Sequence, residues 1–181
     1  IFADMRKLRN HELNRKSVEE FKKTEKLPLV IVLDNVRSLN NIGSVFRTSD
    51  AFLINSIYLC GITACPPNKE IEKTALGATE SVDWKYFEHT LDAVKELKLQ
   101  GYTILSIEQA ENSISLEDFF PQKDKKYALI FGHEVKGVNQ EVVDLSDGCI
   151  EIPQYGTKHS LNISVSAGVV IWDVFVKFMK L

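Results

Sequence analysis

Short uninterrupted apolar runs alternate along this chain with stretches whose apolar residues recur every three or four positions. The runs predict buried strands and the recurrent stretches predict helices. Strands are expected at Pro28–Val36, Ser56–Ile62, Val82–Phe87, Tyr102–Ile107, Tyr127–Phe131 and Cys149–Ile152. Helices are expected at Asn41–Phe52, with Asn41 as its opening cap, and at Glu70–Leu76, Leu91–Leu99 and Asn139–Leu145. Gly77 and Gly101 supply stops. Residues 109–126 read as a polar surface connection, and a long apolar helix, Leu161–Met179, closes the chain. Strand–helix alternation of this kind implies an α/β domain with a mainly parallel sheet and helices on both faces.

The last helix carries apolar residues around most of its circumference, among them Ile163, Val165, Val169, Val170, Ile171, Trp172, Val174 and Phe175. Such a helix is either sandwiched in the core or placed in a subunit interface. In a chain of 181 residues the interface is the favoured reading, which makes a homodimer the expected state. The most apolar stretch, Leu161–Trp172, is too short to span a bilayer.

Composition is that of an ordinary globular protein, with 44% hydrophobic and 26% charged residues. Three cysteines, Cys60, Cys65 and Cys149, form no C-x-x-C pair. That sparse, odd set fits reduced thiols and a cytoplasmic protein better than a disulfide framework or a structural zinc site. The chain opens at Ile1 without an initiator Met, so a few residues are expected to precede it. Its first 26 residues lack the apolar core of a signal peptide. A net charge of −3 argues against coating nucleic acid by bulk charge. Residues 1–26 nevertheless carry a net of +3 against −6 for the remainder. They read as a short basic helical arm ahead of a single domain at 27–181, and the arm is either a solvated helix face or a contact for phosphates.

Ligands of parallel sheets bind where the strands end, which directs attention to the residues after Val36, Ile107, Phe131 and Ile152. Three of these places concentrate Gly, Asn, Ser or charged residues. In NVRSLNNIGSVFRTSD, Asn35–Asp50, a helix N-terminus could hold an anion such as an RNA phosphate, and Arg47 could grip phosphate in a bidentate fork. The bland alternative is a capping Asn and a salt-bridged surface Arg. FGHEVKG, Phe131–Gly137, offers Gly132 at a strand end and Glu134 in a tight turn. IPQYGTKHSLNISVSAG, Ile152–Gly168, sets Ser160, Asn162, Ser164 and Ser166 at the start of the apolar helix. Ser164 and Ser166 are better explained by capping and backbone bonds than by catalysis. The G-x-G-x-x-G, P-loop and G-x-S-x-G fingerprints are absent.

Together with KTALGA at Lys73–Ala78, these segments resemble the SpoU (TrmH-like) family of RNA 2′-O-methyltransferases in the SPOUT superfamily. The resemblance runs from about Leu27 to the C-terminus. It implies an α/β fold whose C-terminal segment is threaded into a deep trefoil knot, a rare topology otherwise. It implies S-adenosylmethionine as cofactor, tRNA or rRNA as substrate, and an active site built from two protomers. Asn41, Arg47, Glu134, Ser160 and Asn162 fall on the active-site positions. Gly132, Ile152 and Leu161, with Ser106 and Gly156, fall on the cofactor positions, and Gly156 is expected to need the freedom of glycine. The chain departs from many relatives at His133, at Gln154-Tyr155 and at Phe52-Leu53-Ile54. The family gives Arg47 a part in activating the ribose hydroxyl. A guanidinium is a poor base, so stabilisation of phosphate and developing alkoxide suits it better. Two other readings stay open: an RNA-binding protein without catalysis, and a methyltransferase acting on a base or small molecule.

Overall fold

The computed structural model describes residues 5–181, so the first four residues of the expected arm lie outside the described residues. Seven strands form one sheet in the order β3-β2-β1-β6-β4-β7-β5. The strands are β1 (Leu27–Asp34), β2 (Ile54–Cys60), β3 (Asp83–Phe87), β4 (Tyr102–Ile107), β5 (Ile114–Ser115), β6 (Lys126–Phe131) and β7 (Gly148–Glu151). Every strand pair is parallel.

Strand β1 shows why the apolar runs become central strands. Leu29, Ile31 and Leu33 alternate with Val30 and Val32, and the two sets enter separate apolar clusters on opposite faces of the sheet. A strand buried on both faces has no polar side to show, hence its unbroken apolar reading. One face is covered by α2 (Leu39–Ala51), α3 (Lys69–Ala75), α4 (Ala78–Ser81) and α7 (Ile163–Phe178). The other is covered by α5 (Thr90–Leu99) and α6 (Gln140–Leu145). Helices α2 and α3 pack so closely that a Cβ on Gly43 would lie 2.2 Å from the Ile71 carbonyl oxygen.

The N-terminal region is partly helical. Helix α1 (Val18–Lys23) begins in a reciprocal cap in which the Glu20 N–H donates to Ser17 Oγ and the Ser17 N–H donates to the Glu20 carboxylate. Its Phe21 is buried in the core below α4.

Two expectations are corrected. The 109–126 connection is not wholly polar surface: it supplies edge strand β5 and buries Leu116 and Phe119. The cap of α2 is Ser38, whose Oγ accepts the Asn41 N–H, so Asn41 lies inside the first turn. The last helix is neither sandwiched nor evenly covered. Ile163, Ala167, Val170, Ile171 and Val174 are buried, while Val165, Val169 and Trp172 form an exposed stripe on another side. Trp172 is 53% exposed and sits 5.4 Å, ring to ring, from Phe52 at the end of α2. No described helix is long and apolar enough to cross a membrane.

Candidate active site

The C-terminal ends of β4, β6 and β7 and the start of α7 enclose a cleft of about 550 Å³. Gly132, Glu134, Ile152, Ser160, Leu161 and Asn162 all line it, so two of the three sequence segments converge on one site. Ile107 and Ile163 add apolar surface.

The loop after β6 is held rigidly. His133 and Gly137 exchange main-chain hydrogen bonds of 3.0 and 2.8 Å across the turn. Within it, His133 Nδ1 accepts the N–H groups of Val135 and Lys136, which assigns the ring proton to Nε2. Gly132 is essential to this closure. A Cβ there would lie 2.1 Å from the Gly137 carbonyl carbon and the Val138 nitrogen. Its bare face is therefore spent on the loop's own backbone, and the residue meets the cleft through its main chain.

Glu134 joins this loop to the first segment. Its carboxylate accepts the Arg37 N–H at 3.0 Å, the Ser38 N–H at 2.9 Å and the Asn41 side-chain amide at 3.3 Å. Burial pushes the carboxyl up, but the main-chain donors and Asn41 outweigh it and hold Glu134 below the ordinary carboxylate range. The anion at the N-terminus of α2 is thus a side chain of the same protein. This corrects the expectation that the helix end is open to an RNA phosphate. It also places Asn41 as a partner of Glu134 behind the cleft lining.

Asn162 caps α7. Its Oδ1 accepts the Ser164 N–H at 2.8 Å and the Ser164 hydroxyl at 2.6 Å, while Ser166 donates to the Ile163 carbonyl. Both serines therefore do the capping and backbone work expected of them. Ser160, Leu161 and Asn162 are exposed at the cleft edge.

Besides Asn41, three expected site residues lie outside the cleft lining. Ser106 is fully buried, and its hydroxyl bonds that of Ser146 at 2.8 Å on the α6 side of the sheet. A strand alternates its faces, and Ser106 turns from the cleft where Ile107 enters it. Gly156 is outside the cleft lining and outside the left-handed region, and a Cβ there would meet nothing within 4 Å. Its expected need for glycine's freedom is not present. Arg47 is exposed on α2, outside the lining, and makes no hydrogen bond or ion pair among the described residues.

Sequence reasoning passed over the end of β4, where Glu108 and Gln109 enter the cleft. Glu108 accepts the Val138 N–H at 3.0 Å and fills the space that a Cβ on Gly137, with φ of +69°, would need. Their signal was a Glu-Gln pair directly after an apolar strand.

The model of the SpoU rRNA Methylase family matches residues 28–172. The chain is 28% identical over 162 residues to a tRNA (guanosine(18)-2′-O)-methyltransferase of Thermus thermophilus, covering 90% of this chain and 81% of that protein. Among solved structures, the A. aeolicus TrmH/SpoU tRNA modifying enzyme superposes with a TM-score of 0.78 at 26% identity, covering 90% and 81% of the two chains. An AdoMet-bound rRNA methyltransferase of Sinorhizobium meliloti superposes at 0.76 with 25% identity, covering 82% of this chain and 56% of that one. Curated relatives are longer than this chain, which spans about 63% to 81% of their length.

Proposed function

The chain belongs to the SpoU rRNA Methylase family, and from that membership we propose that it methylates a ribose 2′-hydroxyl in tRNA or rRNA with S-adenosylmethionine. The observation that carries this reading is the convergence of the FGHEVKG and IPQYGTKHSLNISVSAG segments on one cleft, with Glu134 tying that cleft to the helix of Arg47. Names of relatives agree with it: one is a tRNA 2′-O-methyltransferase and one neighbour is an AdoMet-bound rRNA methyltransferase.

The cleft suits that cofactor. Its volume of about 550 Å³ is within the range of small-molecule sites. Ile107 and Ile163 offer apolar surface for an adenine ring, and Gly132, Ile152 and Leu161 would hold the molecule at the rim. When bound, S-adenosylmethionine supplies an electrophilic methyl group on a sulfonium. The protein's share is positioning and charge stabilisation. Glu134 fixes the loop, and Ser160 and Asn162 present polar groups at the edge. A guanidinium is a poor base, which leaves Arg47 an electrostatic role. Its unpaired guanidinium holds substrate phosphate and stabilises charge developing on the 2′-oxygen, while the proton leaves to a substrate phosphate or to water.

The same reading makes the protein a homodimer with composite sites. The exposed Val165–Val169–Trp172 stripe lies on α7, which packs beside α2, and Phe52 links the two helices. An interface on that stripe brings the α2 helix, with Arg47, toward the partner. The C-terminal segment is read as threaded into the trefoil knot that membership of the family implies. Residues 5–26 are read as an arm carried on the domain through Phe21.

The test is to incubate the protein with bulk tRNA and rRNA and methyl-labelled S-adenosylmethionine, then identify the modified nucleoside by mass spectrometry. A 2′-O-methyl nucleoside is expected. A base-methylated product refutes the ribose assignment, and cofactor binding with no product refutes catalysis.

A further inference from the structure

The chain from Tyr155 to Leu161 is exposed, its last three residues line the cleft, and it leads directly into Asn162. Among the described residues it makes a single hydrogen bond to the rest of the protein. Gln109 Nε2 donates to the His159 carbonyl oxygen at 2.7 Å. A carbonyl only accepts, so the NH₂ end of the amide must face it.

The residue that makes this bond is itself held. The Gln109 N–H donates to the Glu108 carboxylate at 2.9 Å, and the Glu108 N–H donates to the Ile150 carbonyl at 3.1 Å. The second Glu108 oxygen accepts the Val138 N–H. Glu108 and Gln109 thus fasten the two loops that form the cleft walls: Glu108 the one after β6, Gln109 the one before α7. The first wall has further ties through Glu134 and the His133–Gly137 bridge. The second depends on one amide.

We propose that Gln109 is a positioning residue that latches the 155–161 segment and so sets the placement of Ser160 and Leu161 toward the cofactor. The proposal rests on the methyltransferase reading for the cofactor's identity, while the latch itself is a property of the free protein. Removing the donor leaves a segment of seven exposed residues hinged only at its ends. Its order must then come from the binding energy of the cofactor, which weakens binding. One hydrogen bond of ordinary net worth corresponds to a change of about five- to tenfold.

Two variants separate the donor from the volume. Gln109→Glu keeps the shape and sets a carboxylate against the carbonyl, and Gln109→Ala removes both. Both are compared with wild type in three measurements: the unfolding midpoint, tryptic cleavage after Lys158 followed by mass spectrometry, and calorimetric binding of S-adenosylhomocysteine. Expected are unchanged midpoints, cleavage after Lys158 faster by about fivefold or more in both variants, and a Kd raised about five- to tenfold. In turnover, KM for the cofactor should rise more than kcat falls. Wild-type cleavage in Gln109→Glu would overturn the latch, since shape alone would then suffice. Faster cleavage with an unchanged Kd would overturn the positioning role. If wild type binds no S-adenosylhomocysteine, the methyltransferase reading fails, and cleavage after Lys158 still decides the latch.

Discussion

Replacing Glu134 separates two roles that the sequence could not distinguish: contact with the substrate, and support of the site. The structure points to support. Glu134→Ala removes the acceptor for the Arg37 and Ser38 N–H groups and the Asn41 amide. Hydrogen bonds to a charged group are worth about 1.5–3 kcal/mol each when sheltered. This carboxylate is only half-buried, so water replaces much of that, and loss of an N-terminal cap typically costs about 0.5–2 kcal/mol. A total near 2 kcal/mol corresponds to a fall of about 4–8 °C in Tm for a domain of this size. Glu134→Gln keeps an acceptor but loses the charge, and should cost about half as much.

The pH dependence gives the sign. Glu134 is held below its ordinary value, so the folded protein binds its proton less readily than the unfolded chain. Its contribution is complete above the ordinary carboxylate range and is lost as pH falls through the lowered value. Thermal melts of wild type and Glu134→Gln between pH 7 and pH 3.5 should therefore differ most at neutral pH and converge in acid. Activity should fall in both variants, more in Glu134→Ala. Melting within 1 °C of wild type in Glu134→Ala, with activity abolished, would refute the supporting role and return Glu134 to direct catalysis.

Arg47→Ala should lower turnover about a hundredfold or more while cofactor affinity holds. Mixing Arg47→Ala with Asn162→Ala protomers should raise activity above either parent, and no recovery after confirmed subunit exchange would place Arg47 within its own chain's site. Wild type should sediment as a dimer and Trp172→Glu, which sets a charge into the exposed α7 stripe, toward the 20.5 kDa monomer; equal sedimentation of the two would move the interface elsewhere. Gly132→Ala should lower Tm by several degrees because its Cβ meets the Gly137–Val138 backbone, whereas Gly156→Ala should melt like wild type because its Cβ meets nothing. Equal behaviour of the two glycines in thermal melts would show that the loop after β6 is not closed as described.

Local chemistry carried most of the architecture. The apolar run of β1 reads as a doubly buried strand because both its faces enter the core, and Tyr102–Ile107 is a strand from end to end as its pattern predicts. The parallel α/β class follows from alternation alone, and the convergence of motifs at strand ends follows from that class. Neighbouring residues sufficed for these conclusions because burial of a strand or helix face is written in its own periodicity.

Tertiary packing decided what lies across long separations. Nothing near Glu134 shows that its carboxylate will cap a helix that begins 95 residues earlier, at Leu39. Side-chain direction at the end of β4 was equally hidden: one residue of pleat turns Ser106 to the α6 side and Ile107 to the cleft, and Glu108 and Gln109 reach the cleft from just past the strand end. The two glycines make the same point. Gly132 and Gly156 look alike in sequence, yet only the first has another loop's backbone pressed against it. Composition and spacing can nominate residues that bear chemistry, but which of them touch is set by how the sheet and its crossings pack.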